Sequence, residues 1–196
     1  MPAKEQGKEL VYQVKVTLKG VRPPVWRRFL VRDVTLHELH LVLQAVMGWE
    51  NCHLYQFTIG RDEYSDPLQD LDMKDSTKIR LGRVFRSAGT RFTYVYDFGD
   101  SWEHEVQIEK SLAAEAGNRY PVCLAGRRAC PPEDCGGVWG YEELLEAIHN
   151  PEHQEHEEML EWLGGPFDPE AFSVALMNNV LAGSPCPGDD EDSPRP

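Results

Sequence analysis

The stretch from Phe92 to Ile108 constrains the fold more than any other, because it reads as two alternating strands joined by a tight acidic turn. It runs Phe92-Thr93-Tyr94-Val95-Tyr96-Asp97-Phe98-Gly99-Asp100-Ser101-Trp102-Glu103-His104-Glu105-Val106-Gln107-Ile108. Alternation with period two puts Phe92, Tyr94 and Tyr96 on one face of the first strand. It puts Trp102, His104, Val106 and Ile108 on one face of the return strand, so Glu103, Glu105, Gln107 and Glu109 turn to water. In the turn, Gly99 is expected to supply a positive φ, and Asp97 or Asp100 to accept from turn amides. The hairpin thus carries a titratable ring to an apolar face beside two carboxylates. A chemical or binding centre is expected there.

The rest of the chain builds a sheet around this hairpin. Leu10 to Lys19 alternates, with Leu10, Tyr12, Val14, Val16 and Leu18 directed at the core. Pro23-Pro24 delays the next strand to Val25–Val31. Asp33 or Thr35 can cap a helix over 36–47 whose stripe is Leu36, Leu39, Leu43, Val46 and Met47, and Gly48 ends it. A third strand is predicted from His53 to Ile59, with His53, Tyr55, Phe57 and Ile59 on one face. A short strand follows near Glu63-Tyr64, then a helical turn over Leu81–Phe85. Residues 112–128 read as irregular, and Cys130-Pro131-Pro132-Glu133-Asp134-Cys135-Gly136-Gly137 bars regular structure. Three helices are then predicted: one striped by Tyr141, Leu144, Leu145 and Ile148, one opened by Asn150-Pro151, and one opened by Asp168-Pro169.

The fold class expected is α+β: a mostly antiparallel, β-grasp-like extended sheet crossed by one helix, with a C-terminal acidic helical subdomain. Residues 10–182 form a single domain in this reading, with the sheet over 10–110, a Cys/Pro loop over 120–139 and helices over 140–181. Residues 1–9 and the acidic tail 183–196 are expected to be disordered.

Charge is partitioned along the chain. The net charge is −13, yet residues 129–196 hold a single basic residue, Arg195, against sixteen acidic ones. Such a third suits solvation or a basic partner and makes direct DNA binding an unfavoured reading. Arg22, Arg27, Arg28 and Arg32, and later Arg80, Arg83, Arg86 and Arg91, cluster among acids, so surface pairing is their default. No apolar run is long enough to span a bilayer, and no leader is evident at the start, so a cytoplasmic protein is expected, with no membrane partner. In a reducing compartment the odd set Cys52, Cys123, Cys130, Cys135 and Cys186 points to free thiols or a metal site rather than disulfides.

Each candidate for chemistry has a plainer alternative. Cys123, Cys130 and Cys135 form a loose triplet that could hold zinc with His104 or His53 as fourth ligand, or could be reduced thiols. Glu133 and Asp134, stiffened by two prolines, could bind a cation or a basic side chain, or brace the loop and cap the next helix. His104 could be a general acid or base, a ligand, or a core histidine held by Asp97, Asp100 or Tyr96. His53 carries the same ambiguity. His149, His153 and His156 sit among glutamates and read as a solvated face. Asp97-Phe98-Gly99 lacks every companion of the kinase tripeptide, and no nucleophile elbow, phosphate loop or dinucleotide fingerprint is present. Trp49, Trp102 and Trp139 beside glycines are plausible contact aromatics.

Several segments together resemble the plasmid pRiA4b ORF-3-like family. They are Tyr12-Gln13-Val14-Lys15-Val16, Pro23-Pro24-Val25-Trp26-Arg27-Arg28, Leu43-Gln44-Ala45-Val46-Met47-Gly48-Trp49, Tyr96 to His104 and Cys130 to Gly137. The resemblance runs from about residue 10 to residue 180. It implies an α+β domain associated with plasmids and mobile elements, and it assigns no activity. The reading is therefore an accessory or binding module for a protein or small ligand rather than an enzyme. Its surface lies at the 97–104 hairpin and the 123–140 loop, with Trp102, Glu133, Asp134, Trp139 and Tyr141 as contacts. Two alternatives stay open. One is a metal-dependent hydrolase or nuclease in which Asp97, Asp100, Glu133 and Asp134 hold a divalent cation and His104 moves protons. The other is a non-catalytic domain with structural zinc on Cys123, Cys130, Cys135 and a histidine.

Overall fold

A computed structural model describes residues 9–183 of the chain. They form a mixed α+β fold with one eight-stranded sheet and five α-helices. The strands are β1 (Leu10–Leu18), β2 (Trp26–Arg32), β3 (Tyr55–Ile59), β4 (Asp62–Ser65), β5 (Lys74–Asp75), β6 (Thr90–Tyr96), β7 (Trp102–Ala113) and β8 (Val122–Arg127). Their order across the sheet is β5-β4-β3-β6-β7-β1-β2-β8, and only the short β4–β5 pair is parallel. The helices are α1 (Leu36–Met47), α2 (Leu81–Val84), α3 (Gly137–His149), α4 (His156–Trp162) and α5 (Val174–Gly183).

The hairpin lies at the sheet's centre. β6 and β7 pair from Thr90↔Ile108 to Tyr96↔Trp102, which brings Tyr94 opposite His104. Phe92, Tyr94, Tyr96, Trp102, His104, Val106 and Ile108 are all buried, as their alternation requires. Helix α1 buries Leu36, Leu39, Leu43, Val46 and Met47 in the same core. It begins with a capping box in which Thr35 Oγ1 accepts from the Glu38 amide and the Glu38 carboxylate accepts from the Thr35 amide. It ends at Gly48 in the left-handed conformation, φ 88°.

Several expectations are corrected. Residues 122–127 are not irregular: they form β8, an edge strand on β2. Leu10 is exposed, and Val11 is buried alongside Tyr12 although the two point to opposite faces of the sheet. His53 precedes β3 and lies in a bend. Arg27 is no surface residue. It is 2% exposed, donates to the carbonyls of Val46, Trp26 and Arg127, and stacks on Phe172.

The last two helices begin later than their Asx-Pro signals suggest. Asn150 Oδ1 accepts from the Glu152 amide and Asp168 Oδ1 from the Glu170 amide. Each of those bonds closes a local Asx turn, after which the chain bends before the helix begins. Residues 1–8 and 184–196, with Cys186, lie outside the described residues. Among the described residues no helix is long and apolar enough to cross a membrane.

Candidate metal centre

Three loops meet at one end of the hairpin. The first, after α1, carries Cys52 and His53. The second is the β6–β7 turn with Asp97 and Asp100. The third joins β8 to α3 and carries Glu133 and Asp134. Backbone and side-chain bonds tie them together. Trp49 Nε1 donates to the Pro131 carbonyl at 3.0 Å, and the Glu50 amide donates to Glu133 Oε1 at 2.7 Å. The Asp97 amide donates to the Leu54 carbonyl at 2.9 Å, and the Gly136 amide to Asp100 Oδ2 at 3.1 Å. Gly137, at φ 68°, packs so tightly on the turn that a Cβ there would stand 2.5 Å from the Asp100 carbonyl oxygen.

His53 sits where these loops converge. Its Nε2 lies 3.0 Å from Asp134 Oδ1, 3.8 Å from Asp97 Oδ2 and 3.9 Å from Glu133 Oε2. None of these approaches is a hydrogen bond: His53 Nε2 and Glu133 Oε2 are both buried without a hydrogen-bonding partner. The other oxygen of each inner carboxylate is already engaged. Glu133 Oε1 accepts from the Glu50 amide and from Tyr96 Oη, at 3.0 Å for the latter, while Asp97 Oδ1 accepts from the Gly99 amide at 2.9 Å. One donor atom from each of His53, Asp97 and Asp134 lies within 4.8 Å of the others, and the same holds for Cys52, His53 and Glu133. Around a four-coordinate ion, donors stand about 3.2–3.7 Å apart. Each triplet is therefore close to the size of a first coordination sphere.

Strain collects at the same place. Asn51, Asp97 and Asp134 have φ of 59°, 54° and 55°. Left-handed backbone at a non-glycine residue costs of order 1 kcal/mol and persists where its surroundings enforce it. Asn51 is enforced from α1: its Oδ1 meets His40 Nε2 at 2.6 Å, and its amide donates to Gln44 Oε1 at 3.1 Å. His40 Nδ1 and Gln44 Nε2 both bond Tyr94 Oη in the core. The segment bearing Cys52 and His53 is thus held by a buried network reaching the middle of the sheet. Beneath it Trp49 stacks on Tyr96 and Trp102, with centroids 5.0 and 6.1 Å apart, and meets His104 edge-on.

The residues singled out from the sequence divide between wall, floor and neither. Asp97, Glu133 and Asp134 come together. Asp100 does not join them, because its carboxylate braces Gly136. His104 is wholly buried beneath the sheet, with Trp49 between it and Pro131 and its Nδ1 3.4 Å from the Tyr94 carbonyl. Burial drops its pKa to about 3, so the ring is neutral. Trp102 and Tyr141 are buried core residues, and Trp139 is 79% exposed. Cys123, Cys130 and Cys135 are free thiols, and none belongs to a metal-sized group among the described residues. Burial pushes the Cys130 and Cys135 thiols up to about 12, so they stay protonated. His53, expected on a strand face and as a possible partner of the Cys123, Cys130 and Cys135 triplet, lies here instead, and with it Cys52, expected only as an isolated thiol. Their adjacency before an aromatic strand was the available signal.

Solvent reaches the cluster from one side. The Asp134 side chain is 66% exposed. It forms one wall of a cleft of about 290 Å³ between α3 and α4, which is also lined by Glu143, Leu144, Met159 and Trp162. Phe98 and Trp139 are exposed on the turn and at the start of α3.

Residues 10–176 match the model of the plasmid pRiA4b ORF-3-like protein family. The chain is 40% identical over 176 residues to the uncharacterized protein y4hQ of Sinorhizobium fredii, covering 87% of this chain and 90% of that one. It is similar in structure to MM3350 of Methanosarcina mazei Go1, described as a protein of unknown function. The TM-score is 0.78 with 41% identity, over 85% of this chain and 97% of the other.

Proposed function

This chain belongs to the plasmid pRiA4b ORF-3-like protein family, and on that premise we propose that it is a cation-dependent binding module. A divalent ion sits on His53, Asp97, Glu133 and Asp134 and presents its free side to a protein or small ligand. One observation carries this reading: two buried polar atoms, His53 Nε2 and Glu133 Oε2, lie 3.9 Å apart and neither has a hydrogen-bond partner. Leaving such atoms unpaired costs about 1–3 kcal/mol each, a cost an ion between them removes. The cleft beside Asp134 and the exposed Phe98 and Trp139 supply room and apolar contact for the ligand.

The family name mentions a plasmid, and the same reading makes the chain an accessory protein of plasmids and mobile elements that works in the cytoplasm. The acidic helices suit a basic partner. Of the early arginines, Arg27 is buried and Arg28 is paired bidentately with Glu109, which supports a reading without direct DNA contact. A hydrolase at the same centre is the second reading, favoured by the solvent-facing Asp134. His104 would not be its proton carrier, since it is buried and neutral.

Titration calorimetry of the metal-stripped full chain with zinc or manganese tests the proposal. One ion per chain is expected, lost in both His53→Ala and Asp97→Asn while the circular dichroism spectrum is kept. Absence of heat or of stoichiometric binding in the wild-type chain removes the reading.

A further inference from the structure

We infer that Cys52 is a direct ligand of the ion, and that its sulfur makes the centre select a thiophilic transition-metal ion over magnesium or calcium. The inference rests on the metal reading above and deepens it. Cys52, His53 and Glu133 each place one donor atom within 4.8 Å of the other two, and His53 also belongs to the carboxylate set with Asp97 and Asp134. The two sets share the imidazole, and within the first of them sulfur, nitrogen and carboxylate oxygen already stand at ligand-like spacing.

The thiol is held in position and left free to turn. The Cys52 amide donates to Tyr96 Oη at 3.1 Å, and the same phenol donates to Glu133 Oε1 at 3.0 Å. One buried tyrosine therefore sets the distance between the cysteine backbone and the carboxylate. The Cys52 sulfur meets that phenol oxygen at 3.8 Å, and the residue is exposed. A rotation about its side chain costs no core packing. This separates Cys52 from Cys123, which is buried with its sulfur on the Ala125 carbonyl, and from Cys130 and Cys135, which pack against the core.

Donor chemistry then sets the ion. Magnesium and calcium take oxygen donors and discriminate against sulfur, whereas zinc, cobalt and ferrous iron accept thiolate and imidazole together. Coordination breaks the S–H bond, forms the S–metal bond and releases the proton to solvent, with no change of oxidation state. Bond lengths near 2.3 Å for sulfur and near 2.0 Å for nitrogen draw the donors inward from their present spread. Cys52, as an exposed residue, is the movable member of the set.

Cobalt(II) is the probe. Titrated into the metal-stripped full chain, it is expected to give visible d–d absorption together with a sulfur-to-cobalt charge-transfer band in the near ultraviolet, both saturating at one equivalent. Magnesium in about 100-fold excess should not displace it. Cys52→Ser, a near-isosteric change at an exposed site, should keep the d–d bands and lose the charge-transfer band. Visible bands without charge transfer in the wild-type chain overturn the sulfur ligand and leave the metal centre standing. A charge-transfer band that survives Cys52→Ser and is lost in Cys130→Ser overturns both the sulfur ligand and the centre at His53. No spectral change at any concentration overturns both.

Discussion

His53 Nε2 lies 3.0 Å from Asp134 Oδ1, within ion-pair distance, and yet has no hydrogen-bond partner. The two facts agree if both atoms point toward a third position rather than at each other. A hydrogen bond needs the N–H directed at the acceptor, whereas two ligands of one ion direct their lone pairs at the ion. At 3.0 Å, with carboxylate oxygens of Asp97 and Glu133 at 3.8 and 3.9 Å, the group has the spacing of shared coordination.

Asn51 transmits the order of the core to this group. Replacing Asn51 with Ala removes the contact of its Oδ1 with His40 Nε2 and strains a φ of 59°. Loss of a partner that orients metal ligands costs about 10–100-fold in affinity. Asn51→Ala is expected to weaken zinc binding by that factor and to lower stability by about 1–3 kcal/mol. Metal titration and urea unfolding on the same preparation check both.

Gly137→Ala separates the loop from the turn. The added Cβ meets the Asp100 carbonyl oxygen at 2.5 Å, and φ stays near 68°. The backbone penalty alone is about 1–3 kcal/mol, before the collision with a carbonyl that cannot swing aside. The variant is expected to unfold at lower urea and, where folded, to bind metal more weakly because Asp97 and Glu133 no longer approach. Unchanged affinity in a folded Gly137→Ala protein would show that the two loops act separately.

Acid should destabilise the fold through two buried histidines. Burial lowers the pKa of both His40 and His104 to about 3, against about 6.5 in an unfolded chain. The unfolded state therefore binds more protons between those values, so stability is full above pH ~6.5 and falls as pH drops toward 3. Each ring contributes a slope of up to about 1.4 kcal/mol per pH unit in that window. Urea midpoints measured in steps from pH 7.5 to about 5 should fall with acid. The His104→Phe variant, which keeps an aromatic ring among Trp49, Tyr94 and Trp102, should show a shallower decline.

Local pattern made most of the sheet legible. The alternation of Phe92–Tyr96 and Trp102–Ile108, and the stripe and caps of Leu36–Met47, are properties of a few consecutive residues, and each element lies where its pattern placed it. β8 escaped because Val122–Arg127 is an edge strand with two small residues, Ala125 and Gly126, and its partner is nearly a hundred positions away. The start of α4 escaped because Asn150 gives the same amide bond in a turn as in a helix cap.

The site was legible in composition and not in membership. Asp97, Glu133 and Asp134 carry obvious chemistry. Choosing His53 over His104 requires knowing that one precedes β3 in a bend while the other lies wholly under the sheet. Alternation placed both rings on apolar faces and could not separate them.

An anomalous difference map at the zinc absorption edge, from crystals of the full chain grown with zinc, tests the central claim most directly. One peak is expected about 2.0–2.1 Å from His53 Nε2, with carboxylate oxygens of Asp97, Glu133 and Asp134 around it. A map with no peak beside His53, or with its peak among Cys123, Cys130 and Cys135, would contradict the account.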